Sequence, residues 1–298
     1  MRGANRVDAA CRGDDWHEST PFACLGFEFA IRTNDARLAG RVTDLYAACR
    51  AHGSVPRHSF ILRRRAAGSS SVTVYRDGRA VRHGATSDLA VSHLAWEVNR
   101  AAVEHGNGRL LLHAAAAERD GRVLLLAGPA GAGKSTLVAA LVATGLRYVT
   151  DEVVAIHGKT GVIEPYPKPI GLHRRVITSG SVLADPLHGA LREEGDELLV
   201  PPHSIRANAV APTGGLVHLV LFPRYVPGAP TVMVPTPRSQ ALVAIVEQAF
   251  NFRELSPGAL DLLARVVRGS HCYRLEFGDL AAARDMALDL FASVAPPA

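Results

Sequence analysis

The sequence predicts an α/β protein: a mixed-sheet domain built on a phosphate-binding loop over residues 109–298, behind a small α+β domain over residues 21–108 and a flexible N-terminal arm over residues 1–20. Three observations carry this. Gly128-Pro129-Ala130-Gly131-Ala132-Gly133-Lys134-Ser135 fits the pattern G-x-x-x-x-G-K-[ST] without a mismatch. An apolar run at 123–127 precedes it and a helical stretch at 136–144 follows, with Gly145 placed to end the helix. Beyond that helix the segments read as a β-rich meander rather than repeated βαβ units, unlike an ordinary doubly wound nucleotide fold.

The elements follow in order. Residues 1–20 are polar and charged, with no apolar signal core. Phe27-Glu28-Phe29-Ala30-Ile31 alternates as a strand does. Leu38, Val42, Leu45, Tyr46 and Cys49 recur at helical spacing through 35–52. Residues 59–65 and 72–75 read as strands, and Arg76-Asp77-Gly78 is a hairpin turn leading into 79–82. Ser87 caps a helix that runs to about Glu104 and that Gly106 ends. This first domain carries no chemical motif.

In the second domain, residues 110–118 and 122–127 are strands joined by the Asp120-Gly121 turn, so they pair as a hairpin. Strands are expected at 147–150, 153–157, 162–164, 216–222, 231–234 and 272–277, and helices at 239–250, 257–268 and 280–291. Residues 165–213 are rich in Pro, Gly and polar residues and predict loops around a site.

With 298 residues, 48% of them hydrophobic, the chain has enough apolar content for a sizeable core. The net charge is +5, but the arginines are scattered, and the run Arg63-Arg64-Arg65 lies in a strand-like segment. That distribution is a solvated face rather than a nucleic-acid surface. No run of 18 apolar residues exists, so no membrane span is expected. Cys11, Cys24, Cys49 and Cys272 have no metal-binding spacing, which fits reduced thiols and a cytoplasmic protein.

The loop chemistry explains its residue types. Glycines let successive N–H groups turn inward toward phosphate oxygens. The candidate nucleotide contacts are Gly128, Pro129, Ala130, Gly131, Ala132, Gly133, Lys134, Ser135 and Thr136. Lys134 reaches the β- and γ-phosphates, the Ser135 hydroxyl ligates Mg²⁺, and the following helix adds its dipole. The match is specific because lysine is scarce: Lys134, Lys159 and Lys168 are the chain's only lysines.

Asp151-Glu152 follows Ser135 by 16 and 17 residues at a strand end. Beside such a loop, two adjacent acids can divide the roles of metal ligand and base; an acidic turn is the plain alternative. His113 sits in the strand expected to pair with the loop-feeding strand, either as a phosphate or hydroxyl partner or as a structural histidine. Lys168 and Arg224 read equally as phosphate contacts and as surface charges beside prolines.

The order His113, Gly128 to Ser135, Asp151-Glu152 resembles the C-terminal domain of bacterial HPr serine kinase/phosphorylase over about residues 109–177. Pro167-Lys168-Pro169-Ile170, Val200-Pro201-Pro202, Phe222-Pro223-Arg224-Tyr225 and Ala249-Phe250-Asn251 resemble HPr-kinase-related proteins, some of which accompany ribosomal peptide modification. The resemblance implies the mixed-sheet P-loop fold shared by HPr kinase and PEP carboxykinase, and an ATP-dependent, Mg²⁺-using protein-serine kinase. It implies catalytic roles for His113, Lys134, Asp151 and Glu152, and Mg²⁺ ligation by Ser135 and Asp151. Departures set the chain apart from a bona fide HPr kinase. Pro129 stands where that family has an acid, Thr136 where it has Glu, Glu152 where it has Asp, and Pro169-Ile170-Gly171-Leu172 replaces its metal-binding Glu and R-G-L-G. The expected function is ATP-dependent phosphorylation of a hydroxyl, with Ser on a protein or peptide the leading acceptor. A nucleotide-binding regulatory or scaffold protein without transfer, and a small-molecule kinase, are the alternatives. The expected partner is therefore a protein or peptide presenting Ser, with homo-oligomerisation left open.

Overall fold

Val123 to Ala127 are all fully buried, and their side chains alternate between two apolar clusters on opposite faces of one sheet: Leu124 and Leu126 on one, Val123, Leu125 and Ala127 on the other. A strand buried on both faces is a central strand, and the architecture is organised around it. The computed structural model describes residues 16–51, 53, 55–66, 69–177, 181–184, 187, 196–254 and 258–294. By its contacts the chain divides into two units, the first reaching His105 and the second beginning at Gly106.

In the first unit the strands are β1 (His17–Glu18), β2 (Phe22–Cys24), β3 (Phe27–Thr33), β4 (His58–Arg64), β5 (Val72–Arg76) and β6 (Arg79–Ala85), with helices α1 (Ala36–Leu45) and α2 (Ser87–His105). They form one sheet in the order β1-β3-β4-β5-β6, with β2 also on β3 and only β3/β4 parallel. Asp35 caps α1 by accepting from the N–H groups of Arg37 and Leu38 at 2.9 and 3.0 Å. Phe22, Phe27, Phe29, Tyr46 and Phe60 pack in a ring cluster. The arm expected over 1–20 lies outside the described residues as far as 15. From there the expectation fails: His17–Glu18 pair with Thr33 and Arg32 as an edge strand, and the Ser19 hydroxyl accepts from the Ile31 N–H at 2.9 Å.

The second unit contains β7 (Arg109–Leu112), β8 (Ala114–Arg119), β9 (Arg122–Ala127), α3 (Lys134–Ala143), β10 (Arg147–Thr150), β11 (Val154–His157), β12 (Ile163–Glu164), β13 (Ile170–His173), β14 (Glu197–Val200), α4 (Pro202–Ile205), β15 (Leu216–Tyr225), β16 (Val232–Pro235), α5 (Arg238–Val246), α6 (Gly258–Arg268), β17 (His271–Phe277) and α7 (Leu280–Ser293). Its main sheet runs β10-β8-β9-β15-β17-β16. Strands β9, β15 and β17 are mutually parallel, and the rest join antiparallel. One face packs on α3, α7 and the β13–β14 pair, the other on α5, α6 and a small sheet, β12-β11-β7. The chain is thus a mixed α/β protein.

Three local expectations are corrected. Residues 110–118 are not one strand: β7 pairs with β11 in the small sheet, β8 pairs with β9 in the main one, and His113 stands at the switch. The helix expected over 239–250 stops at Val246, because the chain turns back along β7: Gln248 O accepts from the His113 N–H at 2.7 Å, and the Phe250 N–H donates to Leu111 O at 2.9 Å. The expected loop region 165–213 contains β13, β14 and α4. No helix among the described residues is long and apolar enough to cross a membrane. Cys24, Cys49 and Cys272 are buried, and none of them forms a disulfide; Cys11 lies outside the described residues.

Asn251 secures this returning segment. Its side-chain oxygen accepts from the Leu111 N–H at 3.0 Å, and its amide donates to Arg109 O at 2.9 Å. Asn251→Ala leaves both backbone groups without these partners, so a stability loss of about 2 kcal/mol is expected. It will be read as a lower urea midpoint with an unchanged m-value.

Candidate functional site

Strand β9 ends at Ala127 and delivers the glycine-rich loop to the N-terminus of α3. Gly131 and Gly133 take φ of +79° and +94°, a region that side-chain-bearing residues adopt at a cost. Gly133 is also short of space, because a Cβ there would lie 2.9 Å from Cζ of Phe277 and 3.4 Å from Cβ of Tyr225. The Tyr225 N–H, at the end of β15, donates to Ala132 O at 3.2 Å. The loop is therefore seated by the ends of β15 and β17. Gly133 caps α3 without a side chain, so the first N–H groups of that helix have no side-chain acceptor. They are the donors that an anion would use.

Lys134 is buried, and its ammonium donates to the carbonyls of Gly128 and Pro129 at 2.6 and 2.9 Å. Burial holds its pKa below the ordinary lysine value, opposed by Asp151 and Glu152. The Ser135 hydroxyl donates to Asp151 Oδ1 at 3.0 Å. Asp151 is buried, and its other oxygen, Oδ2, has no hydrogen-bond partner. Burial pushes the Asp151 pKa up and the neighbouring Glu152 adds to this, while Lys168, the Ser135 hydrogen bond and Lys134 oppose it.

Glu152 follows with φ +71° and a side chain 51% exposed, so the turn turns one acid inward and the next outward. The left-handed conformation costs a non-glycine residue about 1–2 kcal/mol, and the Thr150 hydroxyl, donating to Val153 O at 2.9 Å, closes the turn. Lys168 is the counter-ion of both acids. Its buried Nζ lies 3.2 Å from Glu152 Oε2 and 4.0 Å from Asp151 Oδ2, and donates to Pro169 O at 3.0 Å. His113 Nε2 is 3.5 Å from Lys134 Nζ. Burial and the Lys134 charge hold its pKa below the ordinary value, against Glu152, so the imidazole is neutral at pH 7.

These groups line one cleft of about 640 Å³. His113, Ala130, Gly131, Gly133, Lys134, Ser135, Thr136, Asp151 and Glu152 all face it. Of the remaining loop residues, Gly128 and Pro129 hold the lysine through their carbonyls, and Ala132 ties the loop to Tyr225. Lys168 acts on the acid pair from behind, whereas Arg224 does not line the cleft; it pairs with Glu276 at 3.1 Å and is 76% exposed. Sequence reasoning missed the other walls. Gly171, His173, Arg175 and Glu197 come from β13, β14 and the turn after β13, and Tyr225, Phe277 and Asp279 from the ends of β15 and β17. Only the Pro- and Gly-rich composition of 165–213 hinted at the first of these.

The residues fit Mg²⁺. A buried carboxylate oxygen lacking a hydrogen-bond partner and a serine hydroxyl beside the same carboxylate are hard oxygen donors of the kind that ion takes. Among the described residues no three His, Cys, Asp or Glu side chains gather into a metal cage, so Ser135 and Asp151 would need phosphate oxygens to complete the shell.

No family model matches the chain, and no curated protein matches it. Among solved structures the chain is similar to the Hpr(Ser) kinase/phosphatase from Coxiella burnetii. The identity is 16%, the match covers 61% of this chain and 86% of that one, and the TM-score is 0.31. This is a distant structural relationship.

Proposed function

We propose that the chain is an ATP-dependent phosphotransferase that phosphorylates a hydroxyl, with Ser on a protein or peptide the leading acceptor. One observation carries this reading: an inward acid hydrogen-bonded to the loop serine and an outward acid beside it share one cleft with Lys134 and a neutral His113. A simple nucleotide binder needs the loop and one carboxylate. A second, exposed carboxylate at the mouth is what proton removal from an acceptor requires.

The loop N–H groups and the α3 N-terminus bind the inner phosphates. Lys134 exchanges the two loop carbonyls for phosphate oxygens. Ser135 and Asp151 hold Mg²⁺, which when bound neutralises charge on the phosphates. Glu152 takes the proton of the acceptor hydroxyl as its oxygen bonds to the γ-phosphorus and the bond to the β-phosphate oxygen breaks, releasing ADP. His113, uncharged, offers a hydrogen bond at the same point without repelling Lys134.

The test is transfer from γ-labelled ATP with Mg²⁺ to polypeptides encoded beside this gene. Label on serine is expected from the wild type, with loss of about a thousandfold or more in Lys134→Ala, because the cation facing the transferred group is removed. Undiminished transfer by Lys134→Ala would sink the assignment. Binding without any transfer would favour a regulatory protein, and labelling of a metabolite without peptide a small-molecule kinase.

A further inference from the structure

The acids lining the cleft outnumber its permanent cations. Asp151, Glu152, Glu197 and Asp279 face it, against Lys134 and Arg175 among the described residues. A triphosphate entering such a cleft needs every cation present. Lys168 is already committed to the acid pair. Arg175 is not committed: it is exposed and makes no hydrogen bond or ion pair among the described residues. Three other arginines of this unit are engaged: Arg109 with Glu164, Arg206 with the carbonyls of Val142 and Leu146, and Arg224 with Glu276.

The backbone presenting Arg175 is held in place. Strand β13 pairs with β14 through four register positions, from Ile170↔Val200 to His173↔Glu197. Immediately after it, the Arg174 N–H donates to Asp196 O at 2.7 Å, and the Ile177 N–H donates to Arg174 O at 3.0 Å. The Ser181 hydroxyl donates to Val176 O at 2.9 Å, which fastens the far side of the turn. A fixed backbone carrying an uncommitted guanidinium to the wall of the cleft that holds the phosphate loop is a preorganised anion ligand.

We propose that Arg175 binds the terminal phosphoryl group of the nucleotide from the β13–β14 wall. This rests on the phosphotransferase reading above and adds to it the cation that discriminates a triphosphate from a diphosphate. The loop N–H groups supply donors to the inner phosphates, and Lys134 bridges the β- and γ-phosphates. The outermost group, with three oxygens of its own, extends past them, and the Arg175 fork supplies two parallel donors to it.

The experiment uses the full chain and its Arg175→Ala and Arg175→Lys variants. Dissociation constants are measured with Mg²⁺ for a non-hydrolysable ATP analogue and for ADP, at one ionic strength. Arg175→Ala should weaken the analogue about ten- to a hundredfold, the worth of charge-assisted hydrogen bonds, and leave ADP within about twofold. Arg175→Lys, keeping charge but not the fork, should fall between. An unchanged melting temperature, expected for an exposed residue, confirms that the variants fold. Equal losses for both nucleotides, or no loss for either, would overturn the role of Arg175 and leave the loop reading standing. Binding of neither nucleotide by the wild type would overturn both.

Discussion

Asp151→Asn should give a protein that is more stable than the wild type and inactive. The wild-type carboxylate is buried, one of its oxygens has no hydrogen-bond partner, and burial raises its pKa. Asparagine keeps the size and can still accept the Ser135 hydroxyl, but has no charge to desolvate. Lys168 retains Glu152 at 3.2 Å, so no buried cation is stranded. A gain of about 0.5–2 kcal/mol is expected, the common size of a single stabilising substitution where function had cost stability. The pH dependence gives the sign. Below the ordinary carboxylate value of 3.8, Asp151 is protonated whether folded or unfolded. As pH rises from there, the unfolded chain releases the proton before the folded one does, so the folded state binds more protons and wild-type stability falls. The advantage of the variant should therefore open above 3.8, grow until the raised pKa is passed, and then stay constant. Chemical denaturation of both proteins across that range checks it. Transfer activity and Mg²⁺-dependent nucleotide binding should fall a hundredfold or more, since one of the two protein oxygens for the ion is weakened.

Gly133→Ala should be the most damaging single methyl in the loop. It places a Cβ at φ +94° and 2.9 Å from a ring carbon of Phe277, which is itself 2% exposed and packed in the main cluster. The conformational cost is about 1–2 kcal/mol and the overpacking about 1–3. The loop must shift to escape, and nucleotide affinity should drop at least a hundredfold. Titration with the ATP analogue and a denaturation curve measure the two losses. Phe277→Leu in the same chain removes the clash but not the φ penalty. The double variant should therefore recover part of the stability, with a coupling well outside additivity.

The readability of the site follows the range of the interactions that make it. The strand–loop–helix over 123–143 was legible because each requirement is local: a run buried on both faces, glycines where φ is positive, and a scarce lysine at the helix start. The break at His113 was not. Leu110 to Glu118 read as one strand, and the interruption comes from the backbone of Gln248, which takes the His113 N–H. Lys168 was conspicuous by its rarity, yet its partnership with Glu152 depends on how the chain folds back after β12. The β13–β14 pair was hidden for a different reason: short strands flanked by Pro and Gly carry too little periodicity to outweigh loop-like composition. Arg175 inherited that obscurity from the turn that presents it.

The seating of Gly133 against Tyr225 and Phe277 also sets an order of events during synthesis. The glycine-rich loop leaves the ribosome early, but the ring that fills the space beside it belongs to β17, and the strand between them in the sheet is β15. A nascent chain that has reached α6 holds every loop residue and both acids, and still lacks the surface that fixes the loop. The binding cleft therefore becomes complete only when residues 271–281 have emerged, so the growing chain passes most of its translation without a finished nucleotide pocket.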